Sequence, residues 1–209
     1  MNFEVYDLGL IDFEAARQKQ REVFNEVKNR RSSSALIFCR HYPVITLGRR
    51  TDKRNILVSE QELSEKLVRV MRVERGGGAT YHGPGQLTAY PIFNLNFFKK
   101  DVHWFLRQLE NAVIKSLSGL GVSAARLPGL TGVWVNKEKI ASIGIAVRNW
   151  ITFHGFSLNV EESDTQNFRL IRPCGMDIKM TSLEAVLGEK IGFDVLRSSL
   201  EKEVALCMM

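Results

Sequence analysis

Cysteine is scarce in this chain: three in 209 residues, at positions 39, 174 and 207. An odd, sparse set without CxxC spacing excludes a disulfide framework and a zinc knuckle, and it points to a reducing compartment, the cytoplasm. Proline is scarce too, five in all. No repeat, low-complexity tract or linker breaks the chain, which excludes collagen-like and disordered classes. The segment MNFEVYDLGLIDFEAARQKQ carries acids early and lacks a basic n-region and an apolar h-region, so it reads as neither a signal nor a transit peptide. Charge is missing from Gly76 to Phe98. That stretch is long enough to span a bilayer, but its Gly, Pro, Asn, Gln and Thr could not satisfy their backbone in lipid. His41, His82, His103 and His154 show no HxH or HExxH spacing, so no metal is expected.

What is present is ordinary in bulk. Hydrophobic residues make up 44% and charged residues 25%, as in a soluble globular protein. A chain of this size removes roughly 70% of its unfolded surface from water. The net charge of +6 suits acidic protein partners. It also permits nucleic acid, but the basic residues are dispersed and no aromatic RNP-like pattern accompanies them.

Periodicity predicts the elements. A first strand covers Glu4 to Leu8. Asp12 caps a helix whose stripe is Phe13, Ala16, Val23, Phe24 and Val27. Strands follow at Ala35–Cys39 and Val44–Leu47, then a charged loop to Asn55. Ser59 and Glu62 form a capping box for a short helix, and Leu67–Val73 alternates like a half-buried strand. Another strand is expected within Leu87–Leu95, and Asp101 caps a long helix ending at Gly119. Val133–Val135, Lys139–Val147 and Trp150–Val160 read as an antiparallel meander. Thr181–Leu187 and Phe193–Cys207 close the chain as helices. The class is α+β, or mixed α/β: a mixed, largely antiparallel sheet flanked by helices, and not a doubly wound Rossmann sheet.

Three places carry chemistry. The run from Arg75 through Gly76, Gly77, Gly78, Ala79, Thr80, Tyr81 and His82 to Gln86 packs five glycines into twelve residues. Glycine lets backbone approach a ligand. No GK[ST] follows, so it is not a P-loop, and no helix follows directly, so it is not a dinucleotide fingerprint. A tight surface turn would also use the glycines, but it has no use for the basic and aromatic residues among them. Cys174 lies in Arg172-Pro173-Cys174-Gly175, a context that presents a side chain, although a lone Cys is also compatible with a small buried hydrophobe. Lys139 heads an apolar strand. It reads as a solvated edge charge or, turned inward, as a base able to ionise a neighbouring thiol. His154, in Ile151-Thr-Phe-His-Gly155, reads as a catalyst or as a satisfied core residue.

Together RGGGATYHGPGQLTAYPIFNL from Arg75, GVWVNKEKIASIG from Gly132, ITFHGFSLNV from Ile151 and RPCGMDIKMTSLE from Arg172 resemble the lipoyl(octanoyl) transferases of lipoate biosynthesis. They occur in that family's order and spacing, and HYPVITLGRR from His41 extends the likeness over nearly the whole chain. Ser142 and Met176 depart from its commonest residues.

The resemblance implies one catalytic domain, residues 1–209, with the fold of biotin and lipoate protein ligases. It implies transfer of an octanoyl group from octanoyl-acyl carrier protein to a specific lysine. The acceptors would be the lipoyl domains of 2-oxoacid dehydrogenase E2 subunits and glycine cleavage H protein. Cys174 would be the nucleophile and Lys139 the base. The loop Arg75–His82, with Ser142, Ile143 and Gly144, and with Gly155, Phe156 and Ser157, would line the acyl site; His154 and Gln86 are further candidates. A thioester donor requires no ATP, and no cofactor is implied. The rival readings are an ATP-dependent lipoate or biotin protein ligase on the same fold and a non-catalytic acyl-carrier-binding module.

Overall fold

The computed structural model describes residues 3–29, 34–51, 53–173 and 177–208. Strand β1 (Glu4–Ile11) leads through helix α1 (Phe13–Asn29) to β2 (Ala35–His41), and the two strands pair in parallel, as a crossover helix allows. Asp12 caps α1 by accepting from the amide of Glu14 at 2.8 Å. Beyond β2 run β3 (Val44–Leu47), α2 (Glu60–Glu65), β4 (Arg69–Arg72), β5 (Ala79–His82) and β6 (Gln86–Ile92). Then come α3 (Val102–Ser118), the meander β7 (Val133–Val135), β8 (Glu138–Arg148) and β9 (Ile151–Asn159), and α4 (Glu162–Thr165), α5 (Leu183–Leu187) and α6 (Phe193–Cys207).

The main sheet has the order β1-β2-β6-β9-β8-β7, antiparallel throughout except for β1-β2. A second sheet, β4-β3-β5, packs beside it. The period of two in β2 sorts its side chains between two cores. Ile37 and Cys39 meet Ala16, Val23 and Val27 of α1, while Leu36 and Phe38 join Leu109, Val113 and Leu117 of α3 and Leu196 and Leu200 of α6. Strand β6, covered on both faces, is buried along its whole length, which accounts for its uncharged sequence.

Both hairpin turns of the meander are two residues long with positive φ at each: Asn136 and Lys137 at 48° and 68°, Asn149 and Trp150 at 53° and 61°. That is the twist a tight hairpin needs, and the asparagines tolerate it. The strand in the middle of the glycine-rich run, β5, was not expected from periodicity; three glycines precede it and it is only four residues long. Strand β8 begins one residue earlier than expected, at Glu138.

Gly155 shows how tightly β9 and β6 approach. A Cβ there would lie 2.0 Å from the Ala89 carbonyl oxygen and 2.6 Å from Pro91 Cδ. Neither atom can swing aside. Gly155→Ala is therefore expected to cost about 3 kcal/mol or more, the upper range for overpacking. A fall of several degrees in melting temperature would show it; an unchanged melting temperature would mean that the strands spread at little cost.

Candidate active site

The glycine-rich run lies in a cleft between the two sheets, held by backbone. Gly48 N donates to the Gly78 carbonyl (3.2 Å), Arg49 N to Arg75 (3.1 Å), Arg50 N to Gly77 (3.2 Å), and Gly76 N to Ile145 (2.9 Å). Arg75 is buried, and its Nη2 donates to the carbonyl (2.7 Å) and hydroxyl (2.9 Å) of Thr46. Room for this comes from glycine: a Cβ on Gly144 would sit 3.0 Å from the Gly76 carbonyl oxygen, and one on Gly48 would sit 2.5 Å from that of Gly77.

The next turn, His82-Gly83-Pro84-Gly85-Gln86, wraps a carboxylate. Asp164 accepts from the Gly85 amide (2.6 Å) and the Tyr81 hydroxyl (3.2 Å). A Cβ on Gly83 would fall 2.4 Å from its oxygens. Burial raises the Asp164 pKa above the ordinary carboxylate value, and the two donors hold it back. Asp164 lies in a segment that no sequence motif marked.

These segments enclose a cavity of about 500 Å³. Arg75, Gly76, Gly77, Gly78, Ala79, Thr80 and His82 line it, with Ser142, Ile143, Gly144, Gly155, Phe156, Ser157, Lys139 and His154. Tyr81 does not. In the four-residue strand β5 it alternates away from Thr80 and His82 and packs on Phe168 at a centroid distance of 5.8 Å. Gln86 does not line the cavity either. Its amide donates to the Tyr81 carbonyl (3.3 Å) and Asn159 Oδ1 (3.0 Å), and its oxygen accepts from Ser157 Oγ (2.7 Å), so it orients a lining residue from behind. Sequence reasoning missed Phe13, Tyr90, His103, Leu106, Trp134 and Ile145, among other lining residues. Phe13, His103 and Leu106 come from segments remote in the chain, whereas Tyr90, Trp134 and Ile145 lie within or beside the quoted motifs, where no local signal says which side chains face inward.

The apolar lining includes Val102, Leu106, Leu130, Ile143, Ile145 and Phe156. Toward Phe13 the wall holds His82, stacked on the Phe13 ring at 5.8 Å and edge-on to His41 at 5.7 Å. Burial first, and then the nearby charges of His41 and Arg75, push the His82 pKa well below the ordinary value. His41 and His154 are both lowered to about 4, chiefly by burial. His154 has φ +57°, and its amide donates to Gln20 Oε1 at 2.9 Å. At neutral pH these imidazoles are uncharged, and His82 and His154 present neutral rings to the cavity.

Lys139 is not a solvated edge charge. It is 5% exposed, and its Nζ lies 5.3 Å from the Trp134 ring centroid. Its backbone is bonded on the far side: Lys139 N donates to the Lys179 carbonyl (2.8 Å) and Thr181 N to the Lys139 carbonyl (3.0 Å). Asn159 Nδ2 fastens the Thr181 carbonyl as well (2.9 Å). Cys174, Gly175 and Met176 lie outside the described residues. Their flanks do not: Pro173 and Ile178 line the cavity with Lys139, and Arg172 Nε meets Asp177 Oδ1 at 3.2 Å.

The other cysteines stand apart from the cavity. Cys39 is buried with Sγ 3.3 Å from His41 Nε2, and burial pushes its thiol far up. Cys207, on α6, is also raised, mainly by burial. Among the described residues no group of three or more His, Cys, Asp or Glu side chains could hold a metal ion, and no helix is long and apolar enough to cross a membrane.

Comparison with known proteins bears on what this cavity serves. The lipoyl protein ligase A/B catalytic domain family matches residues 12–205. An octanoyltransferase of Thermoanaerobacter sp. is 45% identical over 183 residues, 87% of this chain and 79% of its own. One from Clostridium kluyveri is 43% identical over 176 residues, 84% of this chain and 75% of its own. Among solved structures, the bipartite lipoate protein ligase and E2 lipoyl domain system of Thermoplasma acidophilum includes a similar chain. It aligns with a TM-score of 0.72 at 18% identity, over 99% of this chain and 84% of that one, a likeness of fold.

Proposed function

This chain belongs to the lipoyl protein ligase A/B catalytic family and is an octanoyltransferase of protein lipoylation, and on that premise we propose a two-step transfer through Cys174. The whole chain then acts as one catalytic domain in the cytoplasm. The donor is octanoyl-acyl carrier protein. The acceptors are lysines on the lipoyl domains of 2-oxoacid dehydrogenase E2 subunits and on glycine cleavage H protein.

The observation that carries the proposal is the placement of Lys139. It is buried on a cavity wall that also includes both flanks of Cys174, and its backbone is bonded to Lys179 and Thr181, just beyond that cysteine. In the first step Lys139 Nζ, as the free amine, takes the thiol proton. The thiolate attacks the donor thioester carbon, the carbon–sulfur bond to the carrier breaks, and the departing thiolate takes the proton from Lys139. In the second step the acceptor amine attacks the acyl-cysteine. A carbon–nitrogen bond forms, the bond to Cys174 breaks, and the amine proton passes by way of Lys139 to the thiolate that leaves.

Exchange of one thioester for another is nearly isoenergetic, and amide formation from it is downhill, so neither step requires ATP. The cavity, at about 500 Å³, is within the usual ~300–1,000 Å³ of small-molecule sites. Its apolar lining buries the octanoyl chain at about 0.8 kcal/mol per methylene. Glycines at 76–78, 144 and 155 let that chain lie against backbone.

The test is a mass spectrum of protein incubated with octanoyl-acyl carrier protein, without ATP or magnesium. An octanoyl adduct that peptide mapping places on Cys174 is expected. An adduct on Cys39 or Cys207 would remove the proposed nucleophile. Faster labelling of a lipoyl domain from free octanoate with ATP would put the ligase reading in its place.

A further inference from the structure

We infer that Glu110 is a positioning residue for Lys139: its buried carboxylate fixes the backbone at Gly132, and that backbone sets the path of the lysine side chain. The inference rests on the reading of Lys139 as the base.

Glu110 lies in mid-α3 and is 0% exposed. A carboxylate so placed is costly unless every side of it is paired. Its Oε2 accepts from Arg107 Nη1 at 2.5 Å and from Arg126 Nε at 2.8 Å, both arginines reaching in from partly exposed positions. Its Oε1 accepts from the Gly132 amide at 3.0 Å. Arg126 also donates to the Arg107 carbonyl at 3.1 Å and to Asn111 Oδ1. One carboxylate thus fastens two points of the excursion between α3 and β7. The arginine pairs hold Arg126; the third bond alone reaches Gly132, next to the cavity-lining residues Gly129, Leu130 and Thr131.

Gly132 has φ +131°, which an L side chain rarely adopts. A Cβ there would lie 2.5 Å from Lys139 Cε, 3.2 Å from its Nζ and 2.7 Å from the Ala141 carbonyl oxygen. The lysine side chain therefore crosses directly over the Gly132 Cα on its way to the cavity. If the amide of Gly132 loses its acceptor, the surface under Lys139 shifts, and so does the position of Nζ relative to the thiol it serves.

Two substitutions separate the bonds of Glu110. Glu110→Asp keeps the charge beside the arginines but draws the carboxylate back from Gly132. Glu110→Gln gives up the ion pairs but keeps an amide oxygen that accepts from Gly132. The readout is the rate at which iodoacetamide alkylates Cys174 at pH 7, followed by peptide mapping, with the melting temperature measured alongside. Glu110→Asp is expected to slow alkylation about tenfold, the effect of a thiol pKa raised by one unit. Glu110→Gln is expected to stay within about twofold of the parent protein even where its melting temperature falls. In a Lys139→Ala background, Glu110→Asp should add nothing. Should Glu110→Asp not fold, Glu110→Gln decides: a tenfold loss of alkylation there at an unchanged melting temperature would overturn the positioning role.

Equal losses in the Asp and Gln variants, or losses that follow melting temperature alone, would reduce Glu110 to a structural tie. An unchanged Glu110→Asp rate beside a slowed Lys139→Ala rate would overturn the positioning role alone. If Lys139→Ala itself alkylates at the parent rate, it is the base reading that fails.

Discussion

Lys139→Ala is expected to slow transfer of octanoate to a lipoyl domain by roughly 10²–10⁴-fold, the range for loss of a positioned general base. The side chain is buried between Gly132 and the Trp134 ring, on the wall shared with Pro173 and Ile178, so nothing from bulk solvent substitutes easily for it. Without it the Cys174 thiol should titrate near the free value of about 8.5. Lys139→Arg should impair the reaction differently. Arginine keeps a positive charge that stabilises thiolate, but it cannot release a proton near neutral pH. Some acyl-enzyme should form while little octanoate reaches the acceptor. Pre-steady-state acylation and single-turnover transfer, measured separately across pH, resolve the two steps. Transfer at the parent rate in Lys139→Ala would leave the base unassigned.

Stability should fall steeply in mild acid. His41 and His154 are buried, and in the folded state both titrate at about 4, whereas an unfolded chain binds their protons near 6.5. The folded pKa values are depressed, so the unfolded state holds more protons between pH 4 and 6.5. Stability is therefore full above about 6.5 and declines as pH drops through that window. At pH 5 the loss is on the order of 1–2 kcal/mol for each of these two histidines, and His82, also lowered by burial, adds in the same direction. Burial pushes the Glu74 pKa up, but its own backbone amide and Arg17 hold it below the ordinary value, so its contribution is lost only as pH falls below about 4.5. Asp164, raised by burial, works the other way, gaining as it protonates. The histidines are more numerous and more deeply buried, so their sign prevails. Urea midpoints at pH 7.5 and 5 should differ by an amount that His41→Asn and His154→Asn each reduce. Equal midpoints would mean that the imidazoles take up protons without opening the fold.

Much of this molecule is legible along the chain. Asp12 and Asp101 announced their helices because a short acceptor before an apolar stripe satisfies orphan amides wherever it occurs. The meander was legible because Asn136-Lys137-Glu138 separates two alternating runs and a third follows; the structure trims that turn to Asn136-Lys137 and moves Trp150 from the third strand into the second turn. That Lys139 and Cys174 carry acyl chemistry is what the family resemblance implies; the glycines at 76–78 by themselves pointed to close backbone approach. These are local properties, set by dihedral preference and spacing.

Other features depend on what arrives from elsewhere in the chain. Tyr81 and Gln86 carry the same chemistry as their lining neighbours, yet strand alternation turns Tyr81 toward Phe168, and Asn159 and Ser157 hold Gln86 behind the wall. Asp164 explains why Gly83 and Gly85 are glycines, but its segment bears no motif; only the fold brings it beneath that turn. Glu110 belongs to no motif, and it is buried because Arg107, Arg126 and the Gly132 amide converge on it from other parts of the fold. Lys139 heads an apolar strand, a position where a lysine is usually a solvated edge charge. Burial beside Gly132 and Trp134, which only the packing of β7, β8 and the segment 179–181 provides, makes it a candidate base. The sequence by itself determined where backbone could bend, approach or cap. The tertiary structure decided which polar side chains lost water, because desolvation depends on every neighbour at once and not on the residues next in line.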